Sequence, residues 1–125
     1  MEQSTNDSTL LREAIRLFND SQYYEAHEAL EELWEAGYGE SADFYKGLLQ
    51  ASIALHHFRL DNPEGARKLY SGHRRYLAPY IPAHLGVKLT EFLEDMQSFL
   101  KPVLRARAGE SVPFNSEARP QIQID

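Results

Sequence analysis

The feature that most constrains the fold is a stretch rich in apolar residues at positions 41–59. On a helix, it leaves almost no polar face, with apolar side chains at Phe44, Tyr45, Leu48, Leu49, Ala51, Ile53, Ala54, Leu55 and Phe58. A helix that is hydrophobic all round lies inside a soluble protein. Gly47 within it predicts the close approach of another helix, since glycine otherwise costs about 1 kcal/mol relative to alanine. The sequence therefore predicts a central, buried helix.

Two amphipathic helices are predicted before this central helix. The spacing of apolar residues indicates a first helix over about residues 8–19 and a second over about residues 21–35. Gly37, Tyr38 and Gly39 supply the signal that ends the second helix. Because the connection between the two helices is short, we expect them to pack antiparallel.

Two further helices are predicted after the central helix. Asn62 is a suitable N-cap and Pro63 a suitable first residue, so they predict a helix that continues to about residue 77. Apolar residues at three- and four-residue spacing predict a last helix over about residues 84–100. The sequence thus predicts an all-α, single-domain bundle of about five helices with antiparallel helical hairpins.

The predicted domain organisation is a helical bundle over residues 1–102 followed by an irregular C-terminal tail over residues 103–125. The tail contains glycine and two prolines and shows little periodicity. Its hydrophobic residues are Val112, Phe114, Ile122 and Ile124. We expect these side chains to dock on the bundle or on a second subunit.

Composition narrows the classes of function. The 125-residue chain has a formal net charge of −6, which argues against general nucleic-acid binding because that depends on clustered lysine and arginine. The chain has no cysteine, so disulfides, thiolate nucleophiles and cysteine-ligated metals are excluded. Any metal would have to be bound by histidine, aspartate, glutamate or glutamine.

The sequence shows no membrane or targeting signal. No run approaches the roughly 18 consecutive apolar residues of a membrane-spanning helix. Residues 1–9 lack the basic and apolar regions of a signal peptide. We therefore expect no membrane partner, and the cytoplasm is the simplest location.

One face of the second predicted helix mixes polar and apolar side chains. His27, Glu31 and Trp34 share this face at helical spacing. Burying an imidazole and a carboxylate is costly unless each finds a partner, and the central helix offers Gln50 and His57. These four polar residues are therefore candidates for one cluster between helices 2 and 3. Trp34 is grouped with that cluster as a platform on which a ligand could stack, and the alternative, which we favour, is that it is a core residue.

Two hypotheses account for this polar cluster. His27, Glu28 and Glu31 resemble the zinc-binding helix of metallopeptidases, with Glu31 in place of the second histidine. On that hypothesis a divalent metal on His27, Glu31 and His57 activates a water, and Glu28 is the candidate base. On the other, His27, Glu31, Gln50 and His57 form a buried hydrogen-bond network that fixes the register of the two helices.

Charge is unevenly distributed between the second and fourth predicted helices. Helix 2 concentrates negative charge at Glu25, Glu28, Glu31, Glu32 and Glu35. Helix 4 concentrates positive charge at Arg67, Lys68, Arg74 and Arg75. The sequence predicts that these helices pack against each other or pair between subunits. A phosphate-bearing ligand at Arg74 and Arg75 is the minor alternative.

Four ordered blocks of sequence carry a family resemblance. They are Tyr23-Tyr24-Glu25-Ala26-His27-Glu28 with Glu31 and Trp34, Phe44-Tyr45-Lys46-Gly47-Leu48-Leu49-Gln50, His57, and Asn62-Pro63-Glu64-Gly65-Ala66. Together they span about residues 15–80 and resemble the DUF309 family, small all-helical bacterial and archaeal proteins without an established function. The resemblance implies an all-α bundle and, by a description sometimes given to the family, a metal-dependent hydrolase. Its motif positions fall on His27, Glu28, Glu31, Trp34, Gly47, Gln50, His57, Asn62, Gly65 and Ala66.

Two classes of function remain open at this point. The first is a bundle whose polar pocket between helices 2 and 3 binds a divalent metal or a small polar ligand, with hydrolysis as its extension. The second is a non-catalytic helical protein–protein interaction module whose polar cluster is structural and whose partner docks on helix 4 or on the tail. The second hypothesis also predicts self-association into a homo-oligomer.

Overall fold

The computed structural model describes residues 2–36 and 39–125, and of residues 2–6 it gives only the helical course. Its helices are α1 (Glu2–Asn19), α2 (Tyr23–Ala36), α3 (Ala42–Arg59), α4 (Pro63–Leu77) and α5 (Leu89–Arg105). The all-α fold class is therefore confirmed. Gly37 and Tyr38 of the predicted end signal of α2 lie outside the described residues.

Helix α3 is the centre of the bundle, as its sequence predicted. Its residues Phe44, Leu48, Ala51 and Leu55 have no solvent exposure. Helices α2 and α4 each pack along α3 rather than along each other, and α1 packs on α2. This arrangement leaves α2 and α4 with separate outer surfaces.

The first and last helices differ from their predicted bounds. Helix α1 begins at Glu2 rather than near residue 8. Helix α5 begins at Leu89 rather than near residue 84, and it continues through Pro102 to Arg105. A proline removes one backbone donor, and in the last turn of α5 it shortens the hydrogen-bond ladder without ending the helix.

A small antiparallel hairpin occupies the place where the last helix was expected to begin. Strand β1 (Ala83–His84) pairs with strand β2 (Val87–Lys88). Leu85 and Gly86, the two residues of the turn, have φ values of 50° and 81°. Two consecutive positive φ values are typical of a tight hairpin turn, and leucine rarely adopts one. The sequence pattern therefore did not predict the hairpin.

The C-terminal tail docks on the bundle, which confirms one of the two expectations for it. The Phe114 ring lies 5.1 Å from the rings of both Phe58 and Phe99, centroid to centroid. The Asn19 side chain receives a hydrogen bond from the Ile122 backbone at 2.7 Å and donates one back at 3.0 Å. Ile122 is buried, and Val112, Phe114 and Ile124 pack against the core.

In the described part of the chain, no helix combines the length and the apolar character that crossing a membrane requires.

Candidate functional site

Helices α3 and α4 approach each other closely where one of them carries glycine. A Cβ placed on Gly47 would lie 2.5 Å from Cγ of Leu77. Further along, the Gln50 side chain fills the space beside Gly72, where a Cβ would lie 1.8 Å from the Gln50 Oε1 atom. The glycine of α3 thus faces a large residue of α4, and the glycine of α4 faces a large residue of α3. The predicted close helix approach at Gly47 is confirmed.

A third close contact lies at the start of α4. Asn62 caps the helix by accepting a hydrogen bond from the Gly65 backbone at 3.2 Å, and its amide nitrogen donates to His57 Nδ1 at 3.1 Å. A Cβ on Gly65 would lie 2.9 Å from the His57 ring. The adjacent Ala66 is fully buried. These residues therefore connect the end of α3 to the beginning of α4.

The histidine of α2 pairs with a carboxylate on its own helix. His27 Nε2 lies 2.9 Å from Glu31 Oε2, the contact that their four-residue spacing allows. The exposed Tyr24 ring lies 5.6 Å from the His27 ring and 5.7 Å from the His56 ring. His27 and His56 each have a buried Nδ1 atom without a hydrogen-bond partner. Tyr24 is thus flanked by two imidazoles, one from α2 and one from α3.

The structure places the four predicted cluster residues in two separate sets. His27 and Glu31 lie on α2, whereas Gln50 and His57 contact α4 through Gly72 and Asn62. In the described residues no three His, Asp or Glu side chains form a group that could hold a metal ion. The metal set of His27, Glu31 and His57 stays a prediction.

His56 is a histidine of α3 that the predicted cluster did not include. It approaches Tyr24 of α2, while its neighbour His57 faces α4. Burial lowers the pKa of His56, assisted by the nearby His57 and Arg59. The available signal was position alone, because adjacent residues on a helix point about 100° apart and so face different neighbours.

Helix α2 presents an open, acidic concavity to solvent. The concavity has a volume of about 330 Å³ and is lined by Tyr24, His27, Glu28, Glu31, Glu32 and Glu35. Glu28, the candidate base, is exposed on this surface. Tyr24 is 48% exposed. We call these six residues the acidic groove.

The expectation that Trp34 belongs to the core is wrong. Its side chain is 36% exposed, and the Lys46 ammonium lies 4.7 Å from the ring centroid. The buried face of α2 is formed by Tyr23, Ala26, Leu30 and Leu33. Trp34 lies at the margin of that face, where it packs against a cation instead of apolar residues.

The predicted packing of acidic α2 against basic α4 does not occur within the chain. Helix α3 separates them, and two arginines of α4 donate to backbone carbonyls of α5 instead. Arg67 bonds to Val103 at 3.2 Å, and Arg74 bonds to Leu93 at 3.5 Å. Among the described side chains, the ion pair between His27 and Glu31 is the one that involves a glutamate of α2.

Another histidine outside the predicted cluster, His73, lies in the core. It is fully buried, and its Nδ1 atom bonds to the Tyr70 carbonyl while its Nε2 atom has no partner. Burial lowers the pKa of His73 to about 4, against the opposing effect of the bond to Tyr70. The imidazole is therefore neutral at pH 7, and its role is structural.

Comparison with known proteins identifies relatives without assigned activity. Residues 11–69 match the DUF309 family, described as a domain of unknown function. The chain is 41% identical over 101 residues to an uncharacterised protein of Aquifex aeolicus strain VF5, which covers 80% of this chain and 29% of that protein. It is 32% identical over 93 residues to the uncharacterised protein YpuF of Bacillus subtilis strain 168, covering 72% of this chain and 53% of YpuF. The match thus spans less than two thirds of either relative.

Proposed function

We propose a function from the surface that the fold exposes, because the description of the DUF309 family, which residues 11–69 match, names no activity. The chain is a non-catalytic protein-interaction module, and its acidic groove binds a basic segment of a partner protein. The partner segment carries lysine or arginine at helical spacing together with an apolar residue. Nucleic acid is not the proposed partner, because its phosphates would be repelled by the same glutamates.

The observation that carries this proposal is that most glutamates of α2 form no ion pair with a cation among the described side chains. Glu25, Glu28, Glu32 and Glu35 are exposed, and none of them pairs with a cation among the described side chains. Like charges four residues apart on a helix destabilise it slightly. A basic partner would relieve this repulsion, and complementary charge favours both encounter and correct orientation.

The shape of the groove supports an elongated partner rather than a small substrate. The glutamates of the groove extend from position 28 to position 35, about 10 Å along the helix axis at about 1.5 Å per residue. Exposed Tyr24 at one end offers an aromatic contact of the kind that is enriched in protein interfaces. The surface is open rather than enclosed, which suits a helix or an extended peptide lying across it.

The contacts that the motif residues make within the chain support a structural role for them. His57 is bound by the cap residue of α4, Gln50 fills the space beside Gly72, and His27 pairs within its own helix.

Both relatives are longer than the region they share with this chain. That difference in length supports a domain that acts as a module beside other segments.

A divalent metal on α2 is the second candidate. The observation that favours it is the contact of 2.9 Å between His27 and Glu31 within a groove that Glu28 also lines. The donor set is incomplete, since a catalytic zinc normally has three protein ligands and His57 is held by Asn62. On this alternative Glu28 is the base and hydrolysis is the reaction. Because the set of metal ligands is incomplete, we rank this function below the interaction module.

The test uses a fluorescent amphipathic peptide with lysines at helical spacing and measures its binding to the full chain by anisotropy. Two double charge reversals are compared, Glu28→Lys with Glu32→Lys on α2, and Glu91→Lys with Glu94→Lys on α5. Both pairs are exposed and change the net charge equally. We expect the α2 variant to bind at least about tenfold more weakly, which corresponds to about 1.4 kcal/mol, and the α5 variant to bind like the parent chain.

The control decides between a specific surface and general attraction to an acidic protein. Equal loss of binding in both variants, or no loss in the α2 variant, would refute the proposal. Sedimentation of the free chain tests the separate prediction of self-association. A dimer that the α2 reversal dissociates would identify a second copy, rather than another protein, as the occupant of the groove.

A further inference from the structure

We propose that Lys46, Arg75 and Tyr76 form a binding site for a phosphate group, with Trp34 at its edge. The site combines side chains from α2, α3 and α4 and lies outside the acidic groove. It carries positive rather than negative charge, so it stands independently of the proposed protein partner.

Two cations converge on one tyrosine at this position. The Lys46 Nζ atom lies 5.1 Å from the Tyr76 ring centroid, and the Arg75 guanidinium carbon lies at the same distance from it. Lys46 also lies 4.7 Å from the Trp34 ring. Cations held on aromatic faces keep their N–H donors free for an anion.

Neither cation is paired with a carboxylate of the described residues. The ion pairs of that part of the chain involve Arg16, His27 and Lys88 instead. Lys46 is also partly buried, which removes some of the water that would otherwise solvate its charge. An external anion would supply the missing negative charge.

The Tyr76 hydroxyl adds a third group to the site. Its pKa is lowered because the neighbouring Arg75 and Lys46 cations favour the negative form of the phenol. The positive potential at that oxygen is the potential that an oxyanion would experience. Two full positive charges match a phosphate dianion better than a carboxylate, and the planar arginine fork fits two phosphate oxygens.

The close contact of α3 and α4 fixes the geometry of the site. A Cβ on Gly47, the residue after Lys46, would lie 3.2 Å from Cβ of Tyr76. The two backbones therefore approach closely where they carry these side chains. A site held by rigid helices loses less entropy when it binds an anion than one built on a loop.

Trp34 provides a direct readout, because it is the one tryptophan of the sequence. Its fluorescence is followed while the full chain is titrated with inorganic phosphate, against sodium chloride at equal ionic strength. We expect a saturable change with phosphate. Lys46→Met and Arg75→Gln are each expected to weaken binding at least about tenfold, the size of a lost charge-assisted hydrogen bond. Tyr76→Phe keeps the ring, and we expect it to weaken binding by a smaller factor.

Lys68→Met is the matched control, since it removes one exposed positive charge from α4, the helix that also carries Arg75. We expect its phosphate affinity to equal that of the parent chain. A titration without saturation, or equal weakening by Lys68→Met, would overturn the proposal. Arg75 is exposed, so Arg75→Gln keeps the test decisive if Lys46→Met does not fold.

A parallel titration with glycerol 3-phosphate distinguishes two sources of the same anionic group. Tighter binding of glycerol 3-phosphate than of inorganic phosphate would assign the site to a phosphate monoester. The reverse order would assign it to free phosphate. Either order of affinity supports the phosphate site. If neither ligand binds, the proposal is refuted.

Discussion

Gly47 of α3 lies directly against Leu77 of α4, so that a Cβ added to the glycine would come within 2.5 Å of Leu77 Cγ. Leu77 is fully buried. The branch point of a buried leucine cannot move aside without displacing its neighbours. The absence of a side chain at position 47 therefore sets the distance between the central helix and α4.

Gly47→Ala is expected to destabilise the fold by about 2 kcal/mol, the cost of overpacking a tight core. The clash outweighs the gain of about 1 kcal/mol that alanine brings to a helix interior. Urea denaturation measures the change in the free energy of unfolding. Gly72→Ala is the comparison, because there a Cβ would meet the end of the Gln50 side chain instead of a leucine branch point, and we expect a smaller loss. A Gly47→Ala variant as stable as the parent would contradict this account.

Removal of the Phe114 ring is expected to loosen the tail from the bundle. Phe114→Ala loses ring contacts with Tyr23, Phe58 and Phe99. We expect a loss of about 2 kcal/mol, below the ~3–5 kcal/mol of a fully buried phenylalanine because Phe114 is partly exposed. Thermal unfolding and limited proteolysis of residues 103–125 check this result.

Leu60→Ala is the control for the tail prediction, since Leu60 is 63% exposed. We expect it to leave stability and proteolysis unchanged. Equal sensitivity of both variants to protease would show that Phe114 does not attach the tail.

The fold is expected to become less stable as the pH falls from 7 to 5, because His73 titrates. Its pKa is about 4 in the folded chain, where the imidazole is buried, and 6.5 is the ordinary value. Between these values the unfolded chain binds more protons, so acid favours unfolding. From pH 7 to pH 5 this single group is expected to cost about 2 kcal/mol.

Urea denaturation of His73→Leu at both pH values checks the effect. We expect this variant to lose about 2 kcal/mol less than the parent chain between pH 7 and pH 5. Leu60→Ala, which changes an exposed residue and removes no titratable group, is the control and is expected to retain the parent's pH dependence. An unchanged pH dependence in His73→Leu would mean that another group is responsible.

Metal analysis separates the two candidate functions. The interaction module predicts no stoichiometric metal after exposure of the chain to zinc, manganese and iron, because His27 and Glu31 supply two ligands and His57 is bound to Asn62. Elemental analysis of the parent chain and of His27→Ala measures the content. Metal near one equivalent that disappears in His27→Ala would favour the second candidate and justify a search for hydrolase substrates.

Local signals predicted most of the helical framework. Asn62 and Pro63 marked the start of α4 to the residue, because capping depends on a few adjacent positions. The apolar stretch of residues 41–59 identified α3 as the buried helix. The hairpin at Ala83–His84 and Val87–Lys88 was missed because its turn requires a leucine at positive φ, which no local pattern indicates.

The candidate site was less predictable, because shared helical spacing does not say which neighbour covers a face. His27 and Glu31 were correctly placed side by side on α2, since their contact is local. Gln50 and His57 were expected to join them but contact α4 instead. Trp34 was expected in the core because its spacing matched the apolar face, yet it lies at the margin of that face.

By itself the sequence determined the fold class, the central place of α3 and the pairing of His27 with Glu31, because each depends on composition or on spacing within one element. Only the tertiary structure decided that α3 separates acidic α2 from basic α4. It also decided that His56 and His57 face different helices, and that Lys46 meets Trp34 and Tyr76. Such contacts join residues far apart in the chain, so they depend on how all the helices pack together and not on any local pattern.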